Sequence, residues 1–136
     1  MYTYNGIINK INSLAKKINV PQTLLDSLQR QNQYAQPYIE IKFPFYYLVV
    51  SENGREIKRQ KFKNTESLMF AVFEELTFVM AIHYELMHRV MGKDSRRIIF
   101  SYQLELMGKL SIEWKDILQG KINQILIDNP YVDKAR

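Results

Sequence analysis

Apolar residues at Ile7, Ile11, Leu14 and Ile18 recur at helical spacing, while Asn9, Lys10, Asn12, Lys16 and Lys17 fill the other faces. That pattern predicts an amphipathic helix ending near Asn19. Between Pro21 and Gln36, one short helical turn around Thr23, Leu24 and Leu25 precedes QRQNQYAQ, a polar stretch expected to be a mobile loop. From Pro37 the period changes to two: Ile39, Ile41 and Phe43 face one way and Tyr38, Glu40 and Lys42 the other, predicting a half-buried strand that Pro44 interrupts. Phe45 to Val50 is apolar on both faces, as in a middle strand. Asn53-Gly54 is a hairpin signal, and a third strand runs from Arg55 to Phe62. Its Arg55, Lys58, Arg59 and Lys61, followed by Lys63, are charges that blunt an exposed edge.

Asn64-Thr65 offers a cap, and Glu66 falls in the first turn of the longest helix candidate, Ser67 to Met91. Met69, Val72, Phe73, Leu76, Met80 and Leu86 define one stripe, and Phe70, Phe78 and Ile82 extend it, so this helix is expected to be central and covered on several sides. Gly92 supplies a stop. Asp94 then caps a helix from Ser95 to about Met107 with Gly108 at its end, and Ser111 starts a last helix ended by Asp128-Asn129-Pro130. Strands in one block and helices in another predict an α+β fold: an N-terminal helix, a three-stranded antiparallel sheet, a long central helix and two further C-terminal helices. Residues 1–136 are read as a single domain.

Hydrophobic residues at 46% and charged residues at 24% fit a folded globular chain. The absence of Cys excludes disulfide frameworks, thiolate metal sites and a cysteine nucleophile, and a reducing, cytoplasmic setting fits best. The start MYTYNGIINKINSLAKK lacks a signal-peptide pattern and no window resembles a membrane span, so a soluble, unprocessed protein with no membrane partner is expected. The net charge of +5 permits binding to nucleic acid, anionic lipid or an acidic protein.

Candidate chemistry is sparse. His83 and His88 lie five apart with Glu85 between them, which is not the spacing that points two imidazoles at one metal, so no metal site is expected. His83 is read as a core histidine and His88 as lying on a polar face. No nucleophile elbow and no phosphate-cradling glycine loop occurs, so no catalytic residue and no cofactor is assigned. At about 100° per residue, Glu74, Phe78, Ala81, Glu85, His88 and Arg89 share one strip of the long helix, with Glu85 and Arg89 as an i, i+4 pair. The strip is either a solvated face with one exposed Phe or a partner-binding face with an aromatic anchor. Arg96 and Arg97 open the next helix at its positive dipole end. They are either paired with Asp94 or Glu85, or kept for a carboxylate or phosphate on a partner. Phe78, Glu85, Arg89, Arg96 and Arg97 are therefore the candidate partner-binding residues, and reversal of Glu85 and Arg97 is expected to weaken binding and leave melting nearly unchanged. Gln103, among Ile99, Leu106, Met107 and Leu110, is expected to be hydrogen-bonded inside the domain. Basic residues interleaved with Tyr38, Tyr46 and Tyr47 leave a nucleic-acid-binding module as the alternative.

The ordered series PYIEIKF, YYLVVSENG, SLMFAVFEELTFVMAIHYELMHRVMGKDSRRIIFSYQLELMGKLSIEWK and NPYVD resembles the immunity protein 63 family of bacterial polymorphic toxin systems, over most of the chain from the first helix to Asp133 and most strongly between Leu68 and Trp114. The resemblance implies a protein that neutralises a cognate toxin domain by tight binding, without catalysis. It supplies no binding residues.

Overall fold

Asn53 and Gly54 adopt φ values of 51° and 79°, the left-handed conformation that a two-residue hairpin turn needs and that Asn and Gly reach most readily. In the computed structural model, which describes residues 3–32 and 35–134, this turn joins β2 (Phe45–Glu52) to β3 (Arg55–Phe62). A second turn at Phe43-Pro44, whose peptide is cis, joins β1 (Tyr38–Lys42) to β2. The strands form one antiparallel sheet in the order β1-β2-β3. Ile39 faces Leu48, and Ile41 faces Tyr46, which in turn faces Phe62, so these side chains share one face. Ile39, Tyr46 and Leu48 are buried, and the Tyr46 hydroxyl lies 3.3 Å from Thr65 Oγ1 at the start of the next helix. This is the core face. Phe43 does not join it: proline at position 44 has no N–H for the ladder, the strand stops at Lys42, and Phe43 is left 83% exposed in the turn.

The helices start where side chains can satisfy their first amides. Thr3 Oγ1 accepts from Gly6 N at 3.1 Å and opens α1 (Tyr4–Ala15). A 3-10 turn, Lys16–Ile18, follows, and Asn19 ends it in the left-handed conformation, φ 56°. The short α2 (Gln22–Ser27) leads to β1, where Ile39 N donates to Leu28 O at 2.8 Å. Within QRQNQYAQ, Gln33 and Tyr34 lie outside the described residues. Asn64 Oδ1 accepts from Ser67 N at 2.8 Å and caps α3 (Thr65–Met87). Ser111 Oγ accepts from Trp114 N at 3.2 Å and opens α5 (Ile112–Asp128).

Two helix ends differ from the sequence reading. The α3 helix stops at Met87 rather than Met91, because His88 N bonds to Glu85 O and a turn from Val90 to Lys93 follows, with Gly92 at φ 81°. The α4 helix (Arg96–Leu110) runs through Gly108 instead of ending there. A Cβ at Gly108 would meet only the flexible side chain of Lys115, 3.0 Å away at Cδ, so this glycine lies within the helix without ending it.

By its contacts the chain divides into two compact units, Met1–Glu75 and Leu76–Arg136, with the boundary inside α3. The first has Ile7, Ile11, Ile39, Leu48, Leu68, Met69, Val72 and Phe73 in its core. In the second, Leu76, Phe100, Leu106, Met107, Trp114, Leu118 and Ile122 are buried. Gln103 is buried as expected, its Nε2 donating to Thr77 Oγ1 at 3.2 Å. His83, expected in the core, is exposed, as is Leu86.

Removing a fully buried ring leaves a cavity, so Phe73→Ala is expected to cost about 3–5 kcal/mol in denaturant melts. Ile57→Ala on the exposed third strand should stay within about 0.5 kcal/mol of wild type. Equal losses at the two positions would contradict this assignment of the core.

Candidate partner-binding site

Two arginines at the positive end of α4 require compensation, and two aspartates supply it. Arg96 Nη2 donates to Asp94 Oδ2 at 2.8 Å, and Arg97 Nη2 donates to Asp133 Oδ2 at 2.9 Å. Arg96 also donates through Nη1 to Asn129 O and through Nη2 to Pro130 O, each at 2.9 Å. Both guanidiniums lie over the Tyr131 ring, Arg97 at 4.2 Å and Arg96 at 5.5 Å from its centroid. Main-chain amides complete the clamp: Val132 N donates to Asp94 Oδ2, Asp94 N to Asp133 Oδ1, and Lys134 N to Gly92 O. The Arg96 side chain and the Val132 and Arg96 amides hold the Asp94 carboxyl well below the usual carboxylate range. Arg97 and the Asp94 amide lower that of Asp133. The sequence left these arginines between internal pairing and a partner. The structure pairs both internally, with Asp94 and Asp133 and not with Glu85.

Glu85 is not the surface charge that the helical wheel suggested. It is 2% exposed, and Arg89 Nη2 and Nε donate to its two oxygens at 2.9 and 3.0 Å. The hydrogen bonds from Arg89 lower its pKa against the opposing effect of burial. Reversal at Glu85 would leave a cation in a covered site facing Arg89, so the expectation of unchanged melting does not hold there. Ala81 on the same strip is also buried. Phe78 is 40% exposed and sits about 10 Å along the helix from Glu85, seven residues at the usual rise. The five sequence candidates thus separate into Phe78, the Glu85–Arg89 pair, and the Arg96–Arg97 clamp.

Their surroundings include a surface that the sequence reading passed over. Leu86, Met87, Val90 and Met91 are all exposed, four large apolar side chains in six consecutive positions. The run LMHRVM begins in the last turn of α3 and continues past its end at Met87, where the sequence pattern predicts a helix to Met91. Beside it, the Tyr84 ring stacks on both His88 and Tyr102, with a centroid separation of 3.9 Å to each. His88 Nδ1 lies 2.9 Å from Tyr84 O, which places a proton on Nδ1. Tyr84, His88, Arg97, Ser101, Tyr102 and Glu105 line an open cleft there.

The other face of the sheet carries the basic and aromatic residues. Lys61 Nζ lies 3.8 Å from the centroid of Phe45, and the Arg59 guanidinium 5.1 Å from that of Tyr47. Arg59 also bonds Glu56 and Glu40. Cations already on these rings work against base stacking. Among the described residues no group of three or more His, Asp or Glu side chains is placed to hold a metal ion, and no helix is long and apolar enough to cross a membrane.

Because Asp94, Asp133 and Glu85 have depressed pKa values, their contribution to stability is complete above the unfolded carboxylate pKa of about 4. It is lost as pH falls through the folded values. The melting temperature should be flat near neutrality with respect to these groups and fall below about pH 4–5. Asp94→Asn should lower it at pH 7 and make its acid dependence shallower. An unchanged pH profile in that variant would contradict the clamp.

The profile of the family described as Immunity protein 63 matches residues 43–124, from the turn before β2 to near the end of α5. The match leaves α1, α2, β1 and the NPYVD segment outside it. No curated protein and no solved structure matches the chain. Covering more than half of the chain, the match shows that the chain belongs to the immunity protein 63 family.

Proposed function

We propose that this chain is a non-enzymatic immunity protein that binds and neutralises a cognate toxin of a bacterial polymorphic toxin system, acting in the cytoplasm. Family membership carries this reading. Neutralisation by binding requires a complementary surface rather than a catalytic centre, and tight interfaces concentrate energy in a few anchors ringed by polar groups. The exposed Leu86, Met87, Val90 and Met91 supply adaptable apolar anchors, with Met able to fit irregular partner surfaces. Phe78 and Arg89 extend that contact. Glu85, Arg96 and Arg97 are assigned to holding the end of α3 and the start of α4 in shape, through the pairs with Arg89, Asp94 and Asp133.

The test is to produce the toxin domain encoded nearest this chain with and without it, scoring survival and the stoichiometry of the purified complex. Wild type should protect and form one complex of fixed composition. Met87→Asp combined with Met91→Asp alters two exposed side chains, so folding stability should stay within about 0.5 kcal/mol. Affinity should fall by about tenfold or more. Full protection by that variant would place the interface elsewhere, and failure of the wild type to bind would remove the proposed function.

A further inference from the structure

Of nineteen basic and fourteen acidic residues, five basic and one acidic lie between Arg55 and Lys63, so most of the net charge of +5 sits on β3 and the residue that follows it. Arg59 is engaged by Glu40 and Glu56. Arg55, Lys58 and Lys63 make no ion pair among the described residues. In the order β1-β2-β3, the third strand pairs with β2 alone among the described residues, and its eight residues leave an open edge. The opposite edge of the sheet differs, since Ile39 N in β1 already donates to Leu28 O. On β3, Lys58 faces Val50 and Glu56 faces Ser51, which makes Ile57 the extra residue of a bulge.

Cations and a bulge are common protections against edge-to-edge aggregation. They act selectively here. A second copy adding its own β3 would set cation against cation, whereas an acidic strand would meet the same charges favourably. We propose that the outer edge of β3 accepts an extended acidic protein segment as a fourth strand. Main-chain hydrogen bonds would hold it, and its carboxylates would lie beside Arg55 and Lys58, which the register places on one face, with Lys63 just past the end of the strand. That the segment belongs to the toxin rests on the function proposed above; the chemistry of the edge does not.

An eight-residue peptide alternating Glu and Val, titrated into the isotope-labelled full chain, tests the edge directly. Saturable shifts should centre on the amides of Arg55 to Phe62 and weaken as salt rises. Lys58→Glu with Lys63→Glu should weaken binding about tenfold while circular dichroism shows the wild-type melt. Should that variant fail to fold, Lys58→Gln with Lys63→Gln replaces it, and unchanged affinity there would overturn the proposal. No shift on β3, equal binding of the peptide with Lys in place of Glu, or binding of a single-stranded oligonucleotide instead of the acidic peptide would each overturn it as well. If the peptide fails while the chain still protects against its toxin, only the edge assignment falls. If the peptide binds and protection is absent, the toxin assignment falls.

Discussion

Asp94 is the residue on which the second unit depends. Its carboxylate accepts from the Arg96 guanidinium, the Arg96 amide and the Val132 amide, and its own amide donates to Asp133. One side chain therefore caps α4, neutralises a cation at the unfavourable end of that helix and fastens the chain beyond α5. Asp133 repeats the arrangement with Arg97. Two arginines that would weaken an isolated helix start become the reason that the C-terminal segment is ordered against it.

That clamp shapes the surface that remains. Because the α3 helix ends at Met87 and the chain turns at Gly92 to reach Asp94, the apolar run starts with Leu86 and Met87 in the last turn of α3 and continues with Val90 and Met91 in the turn beyond it. Glu85, the last buried residue of α3, is satisfied by Arg89 from within that same segment. The charged groups nearest the run are thus occupied internally, and its exposed apolar atoms are what a protein partner would meet. The first unit offers a different chemistry, with a sheet whose inner face is closed and whose outer strand concentrates positive charge.

Much of the fold was legible because single residues determined it. Asn53-Gly54 fixed the hairpin, the alternation from Tyr38 gave the first strand, Asn64 and Ser111 opened their helices, and Gln103 among apolar neighbours marked an internal hydrogen bond. The errors share a cause: helical periodicity reports which faces are apolar and not whether another element covers them. His83 fell on an apolar stripe and is exposed, while Glu85 fell on a polar strip and is buried. Gly108 reads as a stop in sequence, yet α4 runs through it to Leu110, since a glycine inside a helix weakens it without breaking it. The partners of Arg96 and Arg97 were partly legible, since Asp94 is local, whereas Asp133 lies 36 residues from Arg97 and no local pattern announces the pair.

In the proposed function, partner contact falls on the exposed run at the end of α3. Hydrogen exchange of the chain alone and in complex with its toxin tests this most directly, because amides in and around an interface slow on binding and those elsewhere do not. Slowed exchange from Leu86 to Lys93, with α1 and α2 unaffected, is the predicted result. Unchanged exchange over that stretch, in a complex that demonstrably forms, would place the interface elsewhere.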